Sequence, residues 1–401
     1  MPPVEIKPDI YWVGVNDRTT DLFEGLWPIT QEGVSYNAYL INDEKTAIVD
    51  LAKSTKGDEF LNQIDRVVDV SRLDYVIVNH MEPDHSGLLR TIRRLAPGAI
   101  ILGTKRTRDM LESFYGITDN VRVVEDGDTL DLGKHTLRFY VTPFVHWPET
   151  MMTYEVDHQI LFACDAFGSY GALRGAIFDD ECTDLEFYEQ QALRYYANIV
   201  ALFSNAVLRA IDKLGSVPVS VIAPSHGLVW RKDPGRIVQL YKKWAEYATG
   251  PTEPGVTLIY GSMYGNTESM MNAVAQGISR AGVPVDIYDA AHTHASYILS
   301  SLWTQRGVMV GAPTYEGGLF PPVAQVLEIA GHKKIRGRLT ARFGSYGWSG
   351  GAQREFERIV TPLQWDIVDT FEFVGAPTED ELRHGEEFGA RFAELIVQKE
   401  A

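Results

Sequence analysis

The stretch Tyr75-Val76-Ile77-Val78-Asn79-His80-Met81-Glu82-Pro83-Asp84-His85 decides how the rest of the chain is read. An apolar run with strand-forming residues ends in a loop that carries His80, Glu82, Asp84 and His85. Four potential ligands in six residues at a strand end can surround more than one cation. Pro83 is expected to stiffen this loop and to block a simple helix. Three more polar residues fall just past apolar runs. His146 follows Leu137–Val141 and a short connection, Asp165 follows Ile160-Leu161-Phe162-Ala163-Cys164, and His226 follows Val219–Ser225. A lone His or Asp after a strand is ordinarily a loop residue or a helix cap. The same placement at four points makes the metal reading the stronger one, because loops at strand ends converge on one edge of a layered sheet.

Ligand type narrows the metal. Four imidazoles and three carboxylates, with no thiolate, suit iron, manganese or zinc. Seven donors exceed one tetrahedral zinc and suit two metals sharing a carboxylate, for which Asp165, alone on its loop, is the natural bridge. Only two cysteines occur, Cys164 and Cys182, which excludes a disulfide scaffold, a Cys-ligated zinc and a four-Cys iron–sulfur cluster. The formal net charge of −17 argues against nucleic acid and anionic membrane as general partners. With no leader-like N-terminus and no apolar run near 18 residues, the chain is expected to be soluble and cytoplasmic.

The 401 residues are enough for two or three domains. Ala248-Thr249-Gly250-Pro251-Thr252-Glu253-Pro254-Gly255 reads as a linker after the amphipathic stretch Ile237–Tyr247. The expected domains are 1–250, where strands mix with helices such as Asp184–Leu214, and 254–401, where strands and helices alternate as in a doubly wound parallel sheet. In the second, Val256–Tyr260 runs into Gly261-Ser262-Met263-Tyr264-Gly265-Asn266-Thr267 and then a helix. Hydroxyls and backbone N–H groups at a helix N-terminus make a phosphate site. Two later loops at strand ends, Gly311–Gly318 and Gly344–Gly351, supply glycines and the aromatics Tyr315, Tyr346 and Trp348 for a flat ring.

These residues together resemble the flavodiiron proteins. The pattern His80-x-Glu82-x-Asp84-His85, His146, Asp165, His226 is similar to that family's metallo-β-lactamase-like domain, as are Gly33–Leu40, His146-Trp147-Pro148-Glu149-Thr150, Tyr195-Tyr196-Ala197-Asn198 and Pro224-Ser225-His226-Gly227. Binuclear zinc hydrolases of the superfamily typically have His where this chain has Glu82, an exchange that favours iron. The loop Ser262–Thr267 resembles the FMN-phosphate loop of flavodoxins, with Tyr264 in place of one hydroxyl residue.

The resemblance implies an α/β fold: an N-terminal metallo-β-lactamase-like αββα sandwich followed by a flavodoxin-like doubly wound parallel sheet, the minimal two-domain class. It implies one iron on His80, Glu82 and His146, a second on Asp84, His85 and His226, and Asp165 between them. FMN is implied at Ser262, Met263, Tyr264, Gly265, Asn266, Thr267, Pro313, Thr314, Tyr315, Glu316, Gly317, Gly318, Ser345, Tyr346, Gly347, Trp348 and Gly350. Tyr195 or Tyr196 would supply a hydrogen bond or proton beside the metals. The activity implied is reduction of oxygen to water, of nitric oxide to nitrous oxide, or both. Electrons would come from rubredoxin or a similar donor, and the active form would be a head-to-tail homodimer or a tetramer. One departure concerns the pocket: many members read Phe-His-Gly where this chain has Phe23-Glu24-Gly25, so Glu24, if buried, needs a partner or a raised pKa. The rival readings are a binuclear zinc hydrolase and a non-catalytic electron carrier or sensor. Glu82 and the flavin loops argue against the first, and an open binuclear site against the second.

Overall fold

The computed structural model describes residues 1–398. It divides into two compact units, Met1–Ala245 and Glu246–Ala401.

Among the described residues, two sheets organise the first unit. One has seven strands in sequence order: β1 (Val4–Lys7), β2 (Ile10–Trp12), β3 (Tyr39–Asn42), β4 (Thr46–Val49), β5 (Tyr75–Ile77), β6 (Ile100–Gly103) and β7 (Val121–Val123). β1 to β4 are antiparallel and β4 to β7 parallel. The other has five: β8 (Thr129–Asp131), β9 (Thr136–Val141), β10 (Met151–Glu155), β11 (Ile160–Cys164) and β12 (Val221–Pro224), with only the last pair parallel. β4, β10, β11 and β12 are buried along their whole length. Strands covered on both faces read as continuous apolar runs, and the sequence shows such runs here. With helices such as Gly57–Asp65, Lys105–Tyr115, Ser204–Leu214 and Pro234–Glu246, this is the metallo-β-lactamase-like αββα architecture.

Two local expectations change. Pro83 does not prevent a helix; it heads the one-turn helix Pro83–Ser86. At the first helical position its missing N–H is no loss, and its fixed φ suits the turn. The stretch Asp184–Leu214 is helical but not one α-helix: Leu185–Tyr195 passes through a widened π segment, Tyr196–Val200, and a tight turn, Ala201–Phe203, into Ser204–Leu214.

The second unit holds one parallel sheet of β13 (Glu253–Tyr260), β14 (Val285–Asp289), β15 (Gln305–Gly311), β16 (Leu339–Tyr346) and β17 (Asp366–Val374), in the spatial order β14-β13-β15-β16-β17. That is the flavodoxin-type 2-1-3-4-5 order. β13 starts at Glu253, three residues before the apolar run, and its pairing with β15 is irregular between Glu253 and Val256, where Pro254 and Gly255 lie. Helix Asn266–Arg280 packs on helix Glu379–Gln398 closely enough that a Cβ on Gly277 would clash with Glu386 O. The latter helix begins with a capping box, Thr378 and Glu381 exchanging hydrogen bonds.

Candidate metal centre and flavin pocket

The loop after β5 is tied down before it reaches its first ligand. Asn79 N donates to Asp50 Oδ1 at 2.8 Å, Asn79 Nδ2 to Asp50 Oδ2 at 3.2 Å, and Thr153 Oγ1 to Asn79 Oδ1 at 2.7 Å. These buried bonds join β4, β5 and β10 at one end of both sheets. His226 is aimed from the other side: Asn37 N donates to Ser225 O, and His226 Nδ1 pairs with Ser35 O at 2.7 Å. The Gly33–Leu40 segment therefore serves the His226 loop. His80 Nδ1 meets Glu149 Oε1 at 2.6 Å, and Met81 N donates to the same oxygen at 3.0 Å. A ring nitrogen fixed in this way leaves the opposite one directed at a metal.

The seven sequence candidates come together in two groups. His80 Nε2 and His146 Nε2 each lie 3.3 Å from Asp165 Oδ2, and 3.4 and 3.1 Å from Glu82 Oε2. His85 Nε2 and His226 Nε2 lie 3.1 and 3.4 Å from Asp165 Oδ1, and 3.3 Å each from an Asp84 oxygen. Asp165 thus gives one oxygen to each group, and His85 points inward with the rest.

Whether cations fit is decided by unsatisfied atoms. His80 Nε2, His85 Nε2, His226 Nε2 and both oxygens of Asp84 and Asp165 are buried without a hydrogen-bond partner. Leaving so many polar atoms unpaired in the interior would cost several kcal/mol, on the order of 1–3 each. Separations of 3.1–3.4 Å are what neighbouring ligands of one cation show. The residues therefore fit a pair of metal ions, with His80, Glu82 and His146 on one, Asp84, His85 and His226 on the other, and Asp165 between.

Electrostatics agree. Burial alone would lower the imidazole pKa values, but the facing carboxylates outweigh it and hold His80 and His146 up to about 10 and His85 and His226 up to about 9. Burial pushes the carboxyls of Glu82 and Asp165 up, and the histidines around them hold both well below the usual range. Glu149, likewise buried, is held low by its bond to His80. The interior Asp50 goes the other way, raised by burial to about 6.

The surrounding wall is aromatic. Phe23, Tyr36 and Tyr195 each stand within 5.7 Å of the His226 ring, centroid to centroid, and Trp147 stands 5.0 Å from His80. Tyr195 is buried against this wall, whereas Tyr196 has its hydroxyl on Ser204 Oγ at 2.7 Å and its ring on Tyr241 and Trp244. Neighbours in sequence, the two tyrosines have different surroundings. Glu24 lies at the surface on the hairpin of Phe23 and Trp27, accepting a bond from Trp27 Nε1 at 3.1 Å. Desolvation, the charge of Glu82 and a hydrogen bond shared with Glu82 raise its carboxyl to about 7.

In the second unit a cavity of about 630 Å3 opens at the C-terminal ends of β13, β15 and β16. It is lined by Ser262, Met263, Tyr264, Asn266, Thr267, Pro313, Thr314, Tyr315, Glu316, Gly317, Ser345, Tyr346, Gly347 and Trp348, and also by Ser349 and Gly375. Gly265, Gly318 and Gly350 are not among its lining residues. Gly265 instead caps helix Asn266–Arg280 at φ 89°, and a Cβ on Gly318 would press on Glu355. The helix start has no side-chain cap, and Thr314 Oγ1 is buried without a partner. A helix start without a side-chain cap and the unpartnered Thr314 hydroxyl, with Tyr264 and Trp348 exposed on the rim, fit a phosphate-bearing flat cofactor such as FMN. Sequence reasoning missed Glu149, Asp50 and Ser35 as supports, and Ser349 and Gly375 at the cavity.

Comparison with known proteins agrees with this geometry. Residues 34–227 match the family model described as ODP family beta lactamase, and residues 258–389 match Flavodoxin. A protein of Moorella thermoacetica named nitric oxide reductase is 34% identical over 402 residues, covering 98% of this chain and 99% of the relative. The anaerobic nitric oxide reductase flavorubredoxin of Pectobacterium atrosepticum is 38% identical over 366 residues, covering 90% of this chain and 70% of the relative. Among solved structures, rubredoxin oxygen:oxidoreductase from Desulfovibrio gigas superposes with a TM-score of 0.93 at 30% identity, covering 100% of both chains. The flavodiiron protein of Giardia intestinalis also gives 0.93, at 28% identity, covering 99% of this chain and 97% of the other.

Proposed function

The chain belongs to the flavodiiron proteins, and from that premise we propose that it reduces oxygen, nitric oxide or both, with FMN passing electrons to two non-heme irons. The balanced reactions are O2 + 4 e− + 4 H+ → 2 H2O and 2 NO + 2 e− + 2 H+ → N2O + H2O. The observation that carries the reading is the division of Asp165 between two groups of buried, unsatisfied donors. Bound iron supplies adjacent open positions and electrons to a diatomic substrate, and FMN supplies the relay.

The protein's own part is positioning and protons. Glu149 and Ser35 O hold the outer nitrogens of His80 and His226, so the inner ones stay directed at the metals. Phe23, Tyr36, Tyr195 and Trp147 limit water around the reacting atoms. Glu24, with its carboxyl raised to about 7 and beside Glu82, is about half protonated at neutral pH, and we assign it the delivery of protons to reduced oxygen atoms. Tyr195 packs on His226 and is the tyrosine we assign a role at the pocket; Tyr196, held by Ser204, is assigned packing.

Electron delivery completes the proposal. A small rubredoxin-like protein is the donor, and the active form is a head-to-tail homodimer in which FMN of one protomer serves the metals of its partner. The cytoplasm is the proposed compartment. Among the described residues no helix is long and apolar enough to cross a membrane. The test is to measure iron and FMN per chain, then follow anaerobic loss of nitric oxide and, separately, loss of oxygen with reduced rubredoxin. Two zincs with hydrolytic turnover, or inactivity on both gases with iron and FMN bound, would refute the proposal.

A further inference from the structure

A second histidine–carboxylate cluster lies in the first unit, away from the centre just described. Glu155 ends β10, and its buried carboxylate has His135 and His158 as its ion-pair partners among the described residues. His135 Nδ1 stands 3.0 Å from Glu155 Oε1 and His158 Nδ1 stands 3.5 Å from Glu155 Oε2. The latter contact is not a hydrogen bond: His158 Nδ1 is shut off from water and has no hydrogen-bond partner. The donor atoms of all three residues lie within 4.8 Å of one another, and the two rings are 5.3 Å apart.

Local structure holds the carboxylate in place before any ion arrives. Asp157 N and His158 N donate to Glu155 Oε1 and Oε2 at 3.1 and 2.8 Å, closing the turn between β10 and β11. His135, in the turn between β8 and β9, donates its backbone N–H to Asp43 Oδ2. One oxygen of Glu155 is thus offered to each histidine, and the three donors come from two different turns. Tetrahedral ligands about 2.0–2.1 Å from a metal lie about 3.3–3.4 Å apart, between the two separations found here. Two imidazoles and a carboxylate without thiolate suit zinc, with water as a fourth ligand. Asp165 follows β11 and His146 precedes β10, so the binuclear donors lie at one end of this hairpin and Glu155 at the other. Five residues at about 3.3 Å each put roughly 16 Å between them.

We propose that His135, Glu155 and His158 form a third metal site, which takes one zinc ion and pins the two turns together. Protein carrying both irons and FMN is dialysed against micromolar zinc chloride and analysed for zinc, iron and flavin. The expected result is one zinc per chain with no loss of iron, and a rise in melting temperature on zinc addition. His158→Gln, at a partly exposed position, is expected to keep iron and FMN, to bind zinc at least about tenfold more weakly and to lose the zinc-dependent rise. X-ray absorption at the zinc edge of the unmutated protein should show two imidazoles with oxygen. The site is refuted if zinc enters only as iron leaves, if His158→Gln takes up as much zinc as the unmutated chain, or if the edge shows sulfur or a single imidazole.

Discussion

Glu149→Gln separates the support of a ligand from the ligand itself. Glu149 Oε1 receives both His80 Nδ1 at 2.6 Å and Met81 N at 3.0 Å, in a fully buried position. The amide keeps the size of the side chain and one acceptor but removes the charge facing His80. Hydrogen bonds to charged groups contribute about 1.5–3 kcal/mol. By the tenfold-per-1.4 kcal/mol rule, that makes iron affinity about 10–100-fold weaker. A second cost is separate. Glu149 Oε2 is buried without a partner, so an NH2 in its place would be stranded, at about 1–3 kcal/mol. That cost falls on folding with or without iron and cancels from the affinity. The assay is competition between the protein and a chelator for ferrous iron at pH 7, read as iron per chain, with FMN content and melting temperature recorded alongside. A variant that melts lower but holds iron within threefold of the unmutated protein would refute the argument that His80 is held for the metal by charge.

Metal loading should release protons. The imidazoles facing the carboxylates are held up to about 9–10, so a cation entering at pH 7 displaces their protons. Apparent affinity should therefore rise with pH up to that range, and an indicator in weak buffer should record more than one proton per chain on iron addition. On the role proposed for Glu24, which requires its acid form, turnover should fall as pH rises through about 7. In Glu24→Gln turnover should be slower and that fall absent, while iron content is unchanged. Gly277→Ala places a Cβ against Glu386 O and should cost the flavodoxin-like unit about 1–3 kcal/mol, read as FMN release at lower temperature with iron retained.

The donor set was legible because all seven residues follow apolar runs, and strand ends are where chemistry gathers in layered sheets. The alternation in the second unit gave its parallel sheet for the same reason. What stayed hidden depends on contacts between distant segments. Glu149 lies 69 positions from His80 and Ser35 lies 191 from His226, and no spacing rule connects them. Pro83 departs from the expectation because its effect depends on position: inside a helix it breaks, at the first turn it begins one. Gly265, Gly318 and Gly350 are expected at the flavin because their loops follow strand ends; Gly265 is found at the left-handed cap of helix Asn266–Arg280, and a Cβ on Gly318 would meet Glu355. Glycine in a loop signals a tight backbone without saying what it approaches.

The −17 takes on meaning when divided by location. On the proposed assignment Glu82, Asp84 and Asp165 would hold the metals and Glu149 supports His80, so part of the negative charge would serve to attract and hold cations. Asp50, buried beneath the loop, is raised to about 6 and contributes little as a full charge below that pH. Glu155 is held by two histidines at the far end of the same hairpin. Formal charge therefore overstates the field that an approaching donor protein meets. The surface that would receive such a donor has to be sought in the local charge around the flavin cavity, where Glu316 lies at the rim, rather than in the net value.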